Sequence, residues 1–265
     1  MNGILTRIMA DKADEVARAK KRVTLVALEQ EIAKASPARG FIPALTARAS
    51  RGAPAIIAEM KRASPSRGVL RGDLDPASVA RSYEAAGAAA LSVLTDEVYF
   101  RGSAQDLKAA RNACRLPVLR KDFMLDPYQI AESRALGADC VLLIVAALSE
   151  AQLQELFTAS EAYGLDALIE VHDARELHVA LTLPGGLIGV NNRDLQTFTT
   201  SIDTTIDLMG AVPSGRLVVS ESGIGSRQDV MRLKAAGLRG FLVGEAFMVA
   251  EDPGGSLIQL FEGWL

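Results

Sequence analysis

Little in this sequence speaks for disulfide, metal or membrane chemistry. Cys114 and Cys140 are its only cysteines, with no CxxC and no Cys/His cluster. Both are expected as reduced, partly buried thiols of a cytosolic chain. His172 and His178 are the only histidines. They lack a one-turn helical spacing and fall beyond the strand they follow, so no metal site is expected. The longest apolar run, Val141 to Leu148, is far below the ~20 residues of a membrane span. Met1 is followed by no long apolar run with a cleavage site, so a cytoplasmic chain without a signal peptide is expected. A net charge of -3 offers no surplus of positive charge for nucleic acid. An anionic ligand must then be held by local groups. There are no coiled-coil heptads and no long linker, which gives the expectation of a monomer. With its end at Leu265, the chain is expected to carry no fused second enzyme.

What is present suits a barrel. The 265 residues match the roughly 250 of an α/β barrel. Hydrophobic residues make up 49%, ample for a core. Residues 1 to about 36 read as helix, with Ile4, Leu5, Ile8, Val16, Val23, Leu25, Val26, Leu28 and Ile32 in an apolar stripe. The basic cluster Arg18, Lys20, Lys21, Arg22 reads as a solvated helix face. Ser36-Pro37-Ala38-Arg39-Gly40 breaks this region, and a second helical pattern ends near Gly52-Ala53-Pro54.

From there one unit recurs: a short apolar run, a polar cluster, then an Ala/Leu-rich helical stretch. The runs are Ala55–Met60, Ala89–Leu94, Pro117–Leu119, Cys140–Ile144, Ala167–Val171, Leu187–Val190, Leu217–Val219 and Gly240–Val243. Gly87, Gly137, Gly164 and Gly237 precede four of them as helix C-caps. Continuous apolar strands alternating with helices imply a parallel sheet covered by helices. Eight units favour a closed (β/α)8 barrel, the TIM barrel, over an open sheet. No GxGxxG follows the first strand, which argues against a dinucleotide fold. The expected organisation is one barrel domain over residues 1–265, with 1–54 as an N-terminal helical extension. The last segment, Ser256 to Leu265, reads as a closing helix with Trp264 packed on the outside.

In such a barrel the site lies at the C-terminal strand ends. The first run ends in Glu59-Met60-Lys61, with Ser64-Pro65-Ser66 just beyond. Residues two apart share one side of a strand, so Glu59 and Lys61 face one cavity if the strand reaches that far. Later ends bring Asp96, Lys121, Glu170, Asn191, Arg193, Glu221 and Glu245. A capping ion-pair network is the plain alternative. Burying so many charges costs several kcal/mol each unless they are paired, and their gathering at one mouth reads as an acid/base site. Ser222-Gly223-Ile224-Gly225 and Gly244-Glu245 follow the last two strands. Both can aim backbone N–H groups at a phosphate, and Ser64 can add a hydroxyl.

Ala58–Ser66, Leu94-Thr95-Asp96 with Tyr99–Ser103, and Arg120-Lys121-Asp122-Phe123 resemble indole-3-glycerol phosphate synthase. So do Leu168–Val171, Gly189–Leu195 and Ser220–Ile224, in the right order over nearly the whole chain. The resemblance implies ring closure, decarboxylation and dehydration of 1-(2-carboxyphenylamino)-1-deoxyribulose 5-phosphate in tryptophan biosynthesis, without a cofactor. It implies Lys121 as general acid and Glu170 as general base. Lys61 would be a second acid or a carboxylate clamp, with Glu59 orienting the lysines. Asn191, Arg193 and Glu221 would bind the sugar hydroxyls and carboxylate. Ser64, Ser222, Gly223, Gly244 and Glu245 would hold the phosphate. Some family members have Ser where this chain has Glu245, whose carboxylate cannot bind phosphate; only its N–H is expected to take part. Leu94, Phe100, Phe123, Leu142 and Leu195 match positions that flank the aromatic ring. The other readings are a Schiff-base aldolase using Lys121 or Lys61, a sugar-phosphate isomerase, and a non-catalytic phosphate-binding subunit. The isomerase would need a strand-end Cys/Asp pair, and no strand end offers Cys.

Overall fold

The computed structural model describes residues 3–194 and 197–265. Three helices come first: α1 (Ile4–Arg22), α2 (Leu25–Lys34) and α3 (Phe41–Ala49). The expected single helix to about residue 36 is thus two. Val23 and Thr24 are extended, and the Thr24 hydroxyl caps α2 by accepting from the Ala27 N–H at 3.2 Å.

Eight parallel strands then close a barrel: β1 (Ala55–Met60), β2 (Ala90–Leu94), β3 (Val118–Lys121), β4 (Cys140–Ile144), β5 (Asp166–Val171), β6 (Leu187–Asn191), β7 (Val218–Glu221) and β8 (Gly240–Val243). β1 closes the ring by pairing with both β2 and β8, with Ile57 opposite Ala90 and Ala55 opposite Gly240. The helices between strands start where sequence chemistry dictates. Asp75, Ser103, Asp126, Ser149, Asp173 and Ser226 each accept a first-turn N–H through the side chain. Gly87, Gly137, Gly164 and Gly237 all have positive φ, as their place after a helix requires.

Strand alternation divides the core in two. Ile56, Ala58, Met60, Leu91, Ile169 and Ile188 point outward into the layer beneath the helices. Ala55, Ile57, Leu119, Leu142, Leu168 and Val219 point inward and fill the barrel, where Cys140 also lies as a buried free thiol. Phe41 and Leu45 of α3 join the inner cluster and plug the N-terminal end. Trp264 packs edge-on against Phe241 on the outside of the barrel at 5.4 Å, past the closing helix Pro253–Leu260. Its indole N–H donates to the Gly52 carbonyl at 2.8 Å.

The extension therefore runs the height of the barrel. α3 seals the bottom, α2 packs through Leu28 on the helix Pro127–Leu136, and α1 crosses the mouth. Lys12 pins α1 there. It is only 2% exposed and reaches Asp96 and Asp122 at 3.0 Å each, and Glu15 at 2.8 Å. Burial works against this ammonium, but the carboxylates outweigh it and raise its pKa.

Candidate active site

β3 and β7 run two residues further than the apolar runs suggest, so Lys121 and Glu221 are strand residues, as Glu170 of β5 is. Each follows an inward-facing residue by two positions, and so does Glu59. The four odd-numbered strands thus place one charged side chain each into the barrel top. Barrels of this class stack inward side chains from alternate strands in this way. Here the uppermost set is one ammonium among three carboxylates.

Lys121 Nζ lies 3.1 Å from Glu221 Oε2 and 3.2 Å from Glu170 Oε2. Lys61, just past β1, donates to Glu59 Oε1 at 2.8 Å, and Ser92 donates to Glu59 Oε2 at 3.3 Å. Asn191 Nδ2 donates to Glu170 Oε1 at 3.1 Å. Two inward glycines make the room. A Cβ on Gly189 would stand 2.2 Å from Glu221 Oε1, and one on Gly244 would stand 2.6 Å from Glu59 Oε1.

These neighbours set the charges. Burial opposes the Lys121 ammonium, but Glu221, Glu170 and Glu59 hold it charged well above the ordinary lysine range. Burial also opposes the Glu170 and Glu59 carboxylates. Lys121 and His172 keep Glu170 below its usual value, and Lys61 and Lys121 do so for Glu59. Glu221 goes the other way. Burial pushes it up to about 7; Lys121 offsets this only in part, while Glu170 adds repulsion. Its Oε1 has no hydrogen-bond partner among the described residues.

Above the charges opens a cavity of about 720 Å³. Glu59, Lys61, Ser64, Lys121, Glu170, Asn191, Arg193, Glu221, Ser222, Gly223, Gly244 and Glu245 all line it, as do Leu94, Phe100, Phe123 and Leu142. Leu195 lies outside the described residues. Phe100 and Phe123, which follow β2 and β3, lie tilted at 38° with ring centroids 6.1 Å apart. Ser222 and Gly223 both have positive φ, 66° and 72°. A serine adopts that backbone only at a cost. Asn192 secures it by donating to the Ser222 carbonyl at 3.0 Å. The helix after β7 begins only at Arg227, and Gly225 and Ser226 give their N–H groups to Asp229. The Glu245 carboxylate is taken by Arg67 at 2.9 Å and Arg193 at 3.4 Å, and Arg193 also binds Ser66.

Ile4, Leu5 and Ile8 of α1 also line the cavity, where sequence reasoning assigned them only to a helix face. His172, beside Glu170, was likewise considered only as a metal ligand.

A closed parallel barrel with a lysine–carboxylate cluster at its C-terminal mouth is a TIM-barrel enzyme framework. Solved structures agree on the fold. A thiamine phosphate pyrophosphorylase from Pyrococcus furiosus superposes with TM-score 0.59 at 18% identity, covering 78% of this chain and 93% of that one. KGPDC from Streptococcus mutans gives 0.60 at 12% identity, with 78% and 95% covered. Sequence is more specific. The family profile described as indole-3-glycerol phosphate synthase matches residues 5–260. Proteins of that name from Acidithiobacillus ferrooxidans and Burkholderia vietnamiensis are 53% and 54% identical over 261 residues. The matches cover 98% of this chain and 99% and 100% of those proteins. The chain belongs to the indole-3-glycerol phosphate synthase family.

Proposed function

We propose that this chain converts 1-(2-carboxyphenylamino)-1-deoxyribulose 5-phosphate to indole-3-glycerol phosphate, CO2 and water, with Lys121 as general acid and Glu170 as general base. The activity, a carboxy-lyase step of tryptophan biosynthesis, follows from the family. The roles rest chiefly on one observation: Lys121 bridges Glu170 and Glu221 at the buried floor of the cavity.

Ring closure joins an aromatic carbon to the ketone carbon and leaves an alkoxide. Lys121 protonates that oxygen. An alkoxide is a stronger base than an amine, so the transfer runs downhill even from a lysine held firmly charged. Loss of CO2 restores the aromatic ring with the electrons of the broken bond. Glu170 then takes a proton from the ring carbon beside nitrogen, and the electron pair forms the new double bond. The hydroxyl leaves as water with a proton from Lys61 or Lys121. A well-placed acid or base contributes about 10²–10⁴-fold.

The aromatic ring goes between Phe100, Phe123, Leu94 and Leu142. The phosphate goes to the N–H groups of Ser222 and Gly223 and to the first turn after Gly244, with Ser64 adding its hydroxyl. Arg193 and Asn191 take sugar hydroxyls. Glu245 contributes its backbone only, since its carboxylate is already held by two arginines. A Schiff-base aldolase needs a neutral lysine, and the surroundings of Lys121 favour the opposite state. The chain acts as a cytoplasmic monomer in this reading; sedimentation tests the oligomeric state. Incubation with the substrate and detection of indole fluorescence tests the activity. No signal at saturating substrate rejects it.

A further inference from the structure

Glu170 has a neighbour that the scheme above leaves idle. His172 follows β5 directly and lies two residues from Glu170. Its backbone N–H and its Nδ1 both meet Glu176 Oε2, at 2.8 and 2.9 Å. These two contacts fix the ring. The other nitrogen, Nε2, sits 3.4 Å from Glu170 Oε1. It is buried and has no hydrogen-bond partner among the described residues.

Ionised Glu176 only accepts, so Nδ1 carries a proton. Nε2 then presents Glu170 with either a lone pair or a second N–H. A lone pair would set two acceptors against each other where water does not screen them. A second N–H makes the contact charge-assisted. The surrounding charges favour the second case. Burial works against an imidazolium, but Glu176, Glu170 and, from β7, Glu221 outweigh it and raise the His172 pKa. Lys121 of β3 stands on the far side of Glu170, at Oε2, and Asn191 of β6 is a neutral donor to Oε1.

We propose that His172 is a positioning residue: as an imidazolium held by Glu176, it keeps Glu170 ionised and aimed into the cavity. This rests on Glu170 being the base. As pH rises through the His172 pKa, Nε2 loses its proton and turns a lone pair on Glu170. The carboxylate then loses its alignment, and kcat falls.

The chain has only two histidines, so imidazole NMR resolves them, with His178→Gln for assignment. At pH 7, His172 is expected to carry protons on both nitrogens and to titrate above the ordinary value of about 6.5. Glu176→Gln is expected to lower that titration by about one unit. In kinetics, His172→Gln is expected to lower kcat about tenfold, leave KM within about twofold, and abolish the alkaline fall that follows His172. Glu176→Gln should move that fall to lower pH. A purely structural role would lower kcat without moving the profile. A neutral His172 at pH 7, or a His172→Gln profile that superposes on the wild type, overturns the proposal. Glu170→Gln separates the two ideas. If kcat survives it, the base assignment fails and this proposal with it. If kcat is lost while His172→Gln leaves the profile unmoved, only the His172 role fails.

Discussion

Both ends of the barrel bury charge, and they settle it differently. At the N-terminal end the partners of the carboxylates are largely backbone. Asp139 accepts N–H groups from Arg39 and Val118, both at 2.8 Å, and pairs with Arg111 at 3.3 Å. Asp166 accepts from Ile42 N–H at 2.8 Å. At the C-terminal end the partners are side chains. Lys121 serves two carboxylates at once, while Glu221 Oε1 and His172 Nε2 have no hydrogen-bond partner among the described residues. Backbone donors cannot leave, so the lower end ties the extension to the barrel. Side-chain partners can be exchanged for substrate atoms, so the upper end can do chemistry.

The sharpest break of this contrast is Lys121→Met. It should lower kcat by about 10³-fold while KM changes only a few-fold, read by the indole fluorescence assay. Asp139→Ala should do the reverse. It strands Arg111 and two N–H groups, so a loss of about 3 kcal/mol is expected in chemical denaturation, with kcat of the folded fraction unchanged.

Glu221→Gln sharpens the contrast through pH. The Glu221 pKa is raised from 4.5 to about 7 in the folded chain. The stability its proton contributes is therefore complete below 4.5 and lost as pH rises to about 7. The variant should be less sensitive to pH across that window than the wild type, measured by denaturation at its two edges. Gly189→Ala should have the smallest effect. Its Cβ would press on Glu221 Oε1, costing about 1–2 kcal/mol and about tenfold in kcat.

Much of this arrangement was legible in the residues. Eight apolar runs, glycine C-caps and charged strand ends specify a barrel and its mouth, because period and punctuation are local properties. The exact strand ends were less legible. Lys121 and Glu221 look like loop residues because a strand is recognised by apolar side chains, and a functional strand end has charged ones. Asp139 and Asp166 stood in the repeated Gly-x-Asp pattern, yet their partners in the extension, Arg39 and Ile42, lie 100 and 124 residues away. The apolar stripe of α1 was visible. What it covers was not, since periodicity defines a face without naming its partner.

That helix carries a last consequence. α1 forms part of the cavity wall and is fastened by a buried cation to two loops of the barrel. Occupancy of the cavity and docking of α1 are thus one linked equilibrium. A ligand that binds only the docked form strengthens docking by about 2.7 kcal/mol at a hundred times its Kd. Trypsin cleavage at Arg7 and Arg18 should slow about a hundredfold when the site fills, provided that opening is fast relative to cutting. The N-terminus becomes a reporter of the active site, readable on a gel without any turnover.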